Sequence, residues 1–285
     1  MAKERFSPLI EVTDDGLFIP EVRSWSLEKY KLVGCYCDIF TNGMKNNWDQ
    51  LVYIDLFAGA GYSRIKESKK IFLSSALIAL SLPVPFTKYI LCERDDERYD
   101  SLQKRVNRDF KHLDVDVLLC DSNSASDAII SRIPKYGRGN TLLPFCFVDP
   151  YSLNLNFSTI SSLGRNLMDF LILQALHMDA NRNFEKYIKE ENQRIADYLG
   201  IENWREIFEK DGTNNRRDFI KFLAEQYQQN MVNLGYLENK VMHQIHSNEK
   251  NLPLYYLSFY SKHKRGIDFF TRIEKYCSPQ LKIDF

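Results

Sequence analysis

The sequence predicts one α/β domain built on a mostly parallel sheet, and three observations support this. Short apolar runs alternate with amphipathic segments five times over the first 175 residues, which is typical of a parallel sheet with helices on both faces. Four successive runs end in a carboxylate. Near the C-terminus, two further strand-like runs flank a polar turn and predict an antiparallel hairpin.

The elements are predicted in a regular order along the chain. A helix from Ser24 to about Asn42 precedes the first strand, and Ser74 or Ser75 caps a later helix after a loop of lysines and serines. The strands are expected at 51–56, 89–93, 115–120, 145–149 and 170–173, with helices at 96–110, 124–133 and 158–165.

The last third of the chain has a different pattern. Residues 180–235 are predicted to be purely helical, with Asn183–Leu199 as one helix, so we expect a single domain over 1–285 with a helical insertion at 180–235. A hairpin is expected from two strands, 241–246 and 254–260, around a turn at 247–251. A final helix is expected at 266–276.

Composition excludes several classes of protein. Lys+Arg and Asp+Glu are equal at 38 each, which argues against a generic charge-driven nucleic-acid binder. No stretch approaches the roughly 20 apolar residues of a membrane span, and no signal-peptide core follows Met1, so we expect a cytoplasmic protein without a membrane partner. The six cysteines lack metal-site spacing, so no metal is expected.

The stretch Val52–Gly61 is the central motif of the chain. An apolar strand runs into Gly59 and Gly61, which predicts a tight turn that opens a helix and binds an adenosine-containing cofactor. A dinucleotide fingerprint requires a third glycine where Arg64 stands, and Glu93 lies too far away to be its acidic partner.

The same residues resemble motif I of the class I S-adenosylmethionine-dependent methyltransferases. Asp55, Phe57, Gly59 and Gly61 match its pattern Asp-x-Phe-x-Gly-x-Gly. The resemblance implies S-adenosyl-L-methionine as cofactor and a Rossmann-like class I methyltransferase fold, with a seven-stranded, mostly parallel sheet.

The carboxylates at the strand ends should lie on one rim, because ligands of such sheets bind at the carboxyl ends of the strands. Asp55 would receive the ammonium group of the cofactor, Glu93 its ribose hydroxyls, and Asp121 with Ser122 its adenine. Each acid taken alone could equally be a solvated loop residue or a helix cap.

Asp149-Pro150-Tyr151 closes the fourth strand and is similar to the Asp-Pro-Pro-Tyr motif of methyltransferases that act on exocyclic base nitrogens. A carboxylate and a carbonyl accept the two N–H bonds, and the aromatic ring stacks on the base. This resemblance implies that Asp149, Pro150 and Tyr151 are catalytic. Only one proline is present here, and a sheet-end turn with a packed tyrosine is the alternative.

Larger parts of the chain resemble the three-Cys-motif partner (TcmP) family. This resemblance implies a bacterial protein of the same fold and a neighbouring three-cysteine-motif protein as partner. The segments that carry it are Trp25 with Lys29, Tyr53–Gly61, Ser75–Leu80, Phe147–Leu153, Asp169–Ile172, Leu254–His263 and Gly266–Phe270.

Two basic segments are expected to flank the site and to bind a nucleic-acid substrate. They contain Lys66 after the glycine turn, and Lys262 with His263 after the last strand. The leading hypothesis is therefore a methyltransferase acting on a nucleobase nitrogen in DNA or RNA. The alternatives are a non-catalytic partner subunit of the three-cysteine-motif protein, and a methyltransferase for small molecules or proteins.

Overall fold

The computed structural model of the chain describes residues 6–210, 215–238, 242–246 and 253–277, and the predicted turn at 247–251 lies outside them. The strands are β1 (Glu11–Val12), β2 (Glu21–Val22), β3 (Gln50–Asp55), β4 (Tyr62–Ile65), β5 (Ile71–Leu73), β6 (Lys88–Glu93), β7 (Val115–Leu119), β8 (Leu142–Val148), β9 (Asp169–Gln174), β10 (Met242–His246) and β11 (Pro253–Tyr260).

The helices follow the predicted alternation, and a 3₁₀ turn (Ser122–Ser124) and a π-helical turn (Leu176–Ala180) are added to it. They are α1 (Ser26–Met44), α2 (Ser75–Leu80), α3 (Asp96–Asp109), α4 (Ser126–Ile130), α5 (Phe157–Leu163), α6 (Phe184–Tyr187), α7 (Arg194–Leu199), α8 (Trp204–Lys210), α9 (Arg216–Asn233) and α10 (Lys264–Cys277).

Seven strands form the main sheet in the order β10-β11-β9-β8-β3-β6-β7. Five neighbours from β9 to β7 are parallel, whereas β11 runs antiparallel to β9 and β10 antiparallel to β11. The chain starts in the centre at β3, moves outward to β6 and β7, and returns to β8 on the other side of β3. This is the strand order of the Rossmann-like class I methyltransferases, so the predicted fold class is confirmed.

Helices cover both faces of this sheet, as two adjacent residues of β11 show. Phe259 and Tyr260 point to opposite faces because side chains alternate along a strand. The ring of Phe259 lies 4.9 Å from that of Phe270 in α10, and the ring of Tyr260 lies 6.2 Å from that of Tyr227 in α9. Both rings are fully buried, so each face has its own apolar core.

The described residues contain neither a helix suited to span a membrane nor a cluster of metal ligands. None of their helices is both long enough and apolar enough to cross a membrane. No group of three or more histidine, cysteine, aspartate or glutamate side chains among them could hold a metal ion.

The glycine turn opens a strand instead of the predicted helix. β4 follows Gly61 and pairs with β5, and these two strands join β1 and β2 in a small sheet of order β1-β5-β4-β2. This run is a short strand because it pairs with β5 and β2, and its residues Tyr62, Ser63 and Ile65 are buried. The loop of lysines and serines is the turn of the hairpin, where Lys69 adopts a positive φ of 61°. α2 comes only after it, and Ser74 occupies its N-cap position without a side-chain capping hydrogen bond.

The predicted helix Asn183–Leu199 is also divided, into α6 and α7. The cause is Arg205, which is remote in sequence and whose guanidinium donates to the carbonyls of Tyr187, Ile188, Lys189 and Asn192. These carbonyls therefore face a side chain rather than a continuing helix.

Arg105 joins the N-terminal segment to the glycine turn. Its guanidinium is fully buried and makes two hydrogen bonds to Asp15, at 2.9 and 2.6 Å, and one to the carbonyl of Ala60 at 2.7 Å. Burial acts to raise the pKa of Asp15, but the hydrogen bonds and charge of Arg105 outweigh it and lower that pKa to about 2. The N-terminal segment is thereby held beside the turn.

We expect Arg105→Met to lower the free energy of unfolding by about 3 kcal/mol, because it removes the buried guanidinium that donates to both Asp15 and the carbonyl of Ala60. Urea denaturation measures the effect. Arg108→Met is the matched control, since Arg108 also contacts Asp15, at 3.1 Å, but is largely exposed, and a loss of about 1 kcal/mol or less is expected there. Equal losses in the two variants would contradict the role of Arg105.

Candidate functional site

A cavity of about 450 Å³ lies at the carboxyl ends of β3, β6, β7 and β8, where the strand order reverses. Its other walls come from the N-terminal segment, from α1 and from Tyr255 of β11. This is where open α/β sheets bind ligands. The predicted site residues that line it are Phe57, Gly59, Lys66, Glu93, Asp121, Ser122, Asp149 and Tyr151.

The two glycines of the turn have different structural tasks. Both have positive φ, 65° at Gly59 and 88° at Gly61. A Cβ on Gly59 would meet no atom within 4 Å, so the cavity reaches this backbone, whereas a Cβ on Gly61 would lie 2.8 Å from a methyl carbon of Leu77. Gly59 therefore allows close approach of a ligand, and Gly61 allows close packing of α2.

Asp55 lies behind the turn and does not line the cavity. Its carboxylate is fully buried and accepts hydrogen bonds from the backbone N–H of Phe57 (3.0 Å), the hydroxyl of Ser75 (2.9 Å) and the hydroxyl of Tyr53 (3.2 Å). Burial raises its pKa to about 7, although these hydrogen bonds oppose the shift. The structure therefore places Asp55 where it supports the turn rather than in contact with a ligand.

Glu93 lines the cavity and is 8% exposed. One carboxylate oxygen accepts from the N–H of Gly59 at 3.0 Å, and the other accepts from the N–H groups of Arg94 and Asp95, both at 2.9 Å. A carboxylate has about four acceptor positions, so Glu93 keeps capacity for a hydroxyl donor while it holds the turn in place.

Asp121 and Ser122 form the next part of the wall. The hydroxyl of Ser122 donates to the carbonyl of Leu56, which ties the end of β3 to the loop after β7. The Asp121 carboxylate accepts from the N–H of Asn123 at 2.8 Å and lies 3.6 Å from the guanidinium of Arg94. That ion pair is exposed and of little energetic value, so the carboxylate is accessible to a ligand.

Asp149 is paired with Lys29 of α1. The sequence had pointed to Lys29 only through the family resemblance, and it had not indicated this pairing. Both side chains line the cavity. Trp25, the N-cap residue of α1, and Lys29 are four residues apart and face the same way, and this spacing is the one sequence signal for this wall. Pro150 is buried outside the lining, whereas Tyr151 is 79% exposed at the mouth.

The two predicted basic segments do not meet. Lys66 lines the cavity, but Lys262 and His263 lie at the opposite edge of the sheet, so their placement on the same rim was wrong. Because β11 is antiparallel to β9, its last residue, Tyr260, pairs with Phe170 near the start of β9. The ammonium of Lys262 donates to the carbonyl of Gly164 at 2.6 Å and lies over a tyrosine ring.

Besides Arg94, which contacts Asp121, two further cations at the cavity were not predicted. Arg23 and Arg98 line its mouth beside Lys66, and all three are exposed. Within the part of the chain that the structure describes, none of the three forms a salt bridge. The mouth therefore presents positive charge that is free to meet an anionic ligand.

Comparisons with known proteins give only distant likenesses. No family model matches the chain, and no curated protein sequence matches it. Many solved structures are similar to it, and three of them illustrate the likeness. A protein from Legionella pneumophila is 11% identical, covers 87% of this chain and 92% of its own, and has a TM-score of 0.48.

The other two have lower scores. TYW2 from Pyrococcus horikoshii, solved in complex with MeSAdo, is 11% identical over 90% of this chain and 72% of its own, with a TM-score of 0.43. An rRNA methylase from Streptococcus thermophilus is 9% identical, covers 83% of this chain and 97% of its own, and has a TM-score of 0.40. The strand order, rather than these likenesses, defines the fold of this chain.

We expect Asp55→Asn to be more destabilising at about pH 5 than at about pH 8. The raised pKa, about 7, means that the folded wild type binds a proton that the unfolded chain has released. Wild-type stability from this group is therefore lost as pH rises through about 7, at up to about 1.4 kcal/mol per pH unit, and asparagine has no such loss.

Urea denaturation at the two pH values measures this difference. Ser75→Ala is the control, because it removes one hydrogen bond to Asp55 but leaves the titrating group in place. The same penalty for Asp55→Asn at both pH values would show that Asp55 does not titrate as described.

Proposed function

We propose that this chain is an S-adenosyl-L-methionine-dependent methyltransferase. The observation that carries the proposal is a cavity, at the point where the strand order reverses, that combines an approachable glycine backbone with three strand-end carboxylates. Its volume, about 450 Å³, lies in the range of roughly 300–1,000 Å³ found for small-molecule sites.

The residues present fit this cofactor. Glu93 would accept the ribose hydroxyls, Asp121 and Ser122 would meet the adenine, and Phe57 and Gly59 would line the amino-acid end. Asp55 would act only by holding the turn. The bound cofactor would supply an electrophilic methyl group with its sulfur as the leaving group, the lone pair of the acceptor would form the new bond, and the acceptor's proton would pass to water.

The acceptor that we propose is a nucleobase nitrogen in DNA or RNA. Asp149 would orient an N–H bond of the base, and the exposed ring of Tyr151 would stack on it. Pro150, which lies outside the cavity lining, has no part in this proposal. The free cations Arg23, Lys66 and Arg98 at the mouth would contact phosphates. Lys262 and His263 have no part in this proposal, because they lie at the other edge of the sheet.

A neighbouring three-cysteine-motif protein remains a proposed partner. The open cavity favours a ligand-binding function over a subunit whose site is filled by its own side chains. Calorimetric titration with the cofactor, with and without that neighbour, distinguishes an enzyme that acts alone from one that needs its partner.

We expect saturable binding of S-adenosyl-L-methionine and of S-adenosylhomocysteine to the purified protein, measured by calorimetry. Glu93→Gln should weaken it about ten-fold or more, because an amide replaces one of the acceptor oxygens. Glu97→Gln is the matched control, since Glu97 is exposed on α3 and does not line the cavity. Circular dichroism verifies that each variant is folded. No saturable binding to folded wild type would refute the proposed function.

We expect methyl transfer from tritiated cofactor to mixed-sequence single-stranded DNA or RNA oligonucleotides, with the label on a base nitrogen after nuclease digestion. Lys66→Ala should raise KM by about three- to ten-fold at low salt and flatten its salt dependence, because one phosphate contact is lost. Lys69→Ala is the control, because Lys69 is paired with Glu21 and lies outside the cavity. Label on carbon or ribose oxygen would contradict the assigned acceptor.

A further inference from the structure

Lys29 and Asp149 form a nearly buried ion pair in the wall of the cavity. Their side chains are only 11% and 15% exposed, although they come from positions 120 residues apart. The Lys29 ammonium donates to Oδ2 of Asp149, and Oδ1 has no hydrogen-bond donor among the residues that the structure describes. One half of the carboxylate is therefore fixed, and the other half is available to a ligand in the cavity.

Aromatic rings hold the lysine on its other sides. Its Nζ lies 5.6 Å from the ring centre of Trp25 and 5.3 Å from that of Tyr30, within the range of cation–π attraction. Tyr255 lies 5.1 Å from Trp25, and all three rings line the cavity. The ion pair therefore sits among flat apolar surfaces.

Lys29 keeps its positive charge in these surroundings. Burial acts to lower its pKa, but the negative charge of Asp149 outweighs burial, so the pKa lies above its usual value. Lys29 is consequently an ammonium group at neutral pH. It can donate hydrogen bonds, but it has no lone pair with which to remove a proton from a substrate.

We propose that Lys29 is the positioning residue of the acceptor site: it holds Asp149 so that Oδ1 accepts an N–H from an uncharged, planar heterocycle, and it excludes cationic amines. This inference rests on the proposed methyltransferase function, and it adds a residue and a selection rule that the motif Asp149-Pro150-Tyr151 does not contain.

The selection follows from charge and shape. The ion pair has no net charge, and the rings of Trp25, Tyr30 and Tyr255 offer flat surfaces, so a neutral heterocycle can enter without a charge penalty. A protonated lysine side chain or polyamine would have to lose a proton before its nitrogen could accept a methyl group. Lys29 cannot deprotonate it.

The first test needs no acceptor. Lys29→Met leaves the Asp149 carboxylate buried without its cation, so folding then favours its protonated form. The loss of stability relative to wild type, measured as the urea midpoint, should be larger at about pH 8 than at about pH 5. Lys29→Arg should lack this pH difference, and the double variant Lys29→Met/Asp149→Asn should abolish it. The same midpoint shift at both pH values in Lys29→Met would overturn the proposal.

The second test measures transfer to the oligonucleotide mixture and, separately, to polylysine. Wild type should label only the oligonucleotides. In Lys29→Met, kcat/KM should fall about ten-fold or more, with a larger loss at about pH 5 than at about pH 8, because protonation of the unpaired carboxylate makes it a weaker acceptor for the N–H. Cofactor affinity should stay within about two-fold of wild type. Lys29→Arg should restore most of the activity, and Lys31→Met, which changes a lysine of α1 outside the cavity lining, should behave as wild type.

The outcomes separate the two proposals. Absence of cofactor binding in wild type would refute the methyltransferase function, while the pH-dependent stability of Lys29→Met would still decide whether Lys29 fixes Asp149. Cofactor binding together with labelled polylysine, or with no label on either acceptor, would overturn the selection rule. Transfer by Lys29→Met at the wild-type rate over the whole pH range would overturn the positioning role.

Discussion

Four parallel strands deliver four carboxylates to one edge of the sheet, and the structure depends on how each of these charges is compensated. Asp55 is buried among hydrogen-bond donors, which leaves it with a raised pKa. Glu93 is surrounded by three backbone N–H groups, Asp121 by one N–H and an exposed arginine, and Asp149 by Lys29. Because most of these donors belong to the loops that build the cavity, the interactions that neutralise the charges also shape the site. A buried carboxylate without such donors would cost free energy. The loops must therefore adopt the conformations that bring these donors to the carboxylates.

Local patterns account for what the sequence predicted correctly. The alternation of apolar and amphipathic segments determines the strands and most helices, because each element buries its own periodic face. The split of Asn183–Leu199 depended instead on Arg205, whose position relative to that segment exists only in the folded chain. The strand after Gly61 was overlooked because a run of only four residues shows too little periodicity beside a polar turn. The edge occupied by Lys262 could have been deduced, since an antiparallel last strand must end at the amino side of its neighbour.

In the candidate site, residue spacing predicted which side chains lie together but not which way each of them points. Spacing placed Glu93, Asp121 and Asp149 on one rim, and all three line the cavity. It could not show that the Asp55 carboxylate turns inward, because a residue at a strand end can face either the ligand or the turn that it supports. Nor could spacing show that Lys29 pairs with Asp149, since that contact requires α1 to lie across the end of β8. Pairs that are distant in sequence are where the structure adds most to the chemistry.

The two ends of the cavity differ in rigidity, and this difference suits a transferase. The glycine turn is fixed from three sides: Glu93 holds the N–H of Gly59, Arg105 holds the carbonyl of Ala60, and Ser122 holds the carbonyl of Leu56. A ligand at this end binds a backbone that is already ordered, so little of its binding free energy is lost to ordering the protein. At the mouth, Tyr151 is 79% exposed and the rim cations have long side chains with many rotamers. That end can adapt to an acceptor much larger than the cavity, so that only the reacting group enters while the remainder contacts the surface.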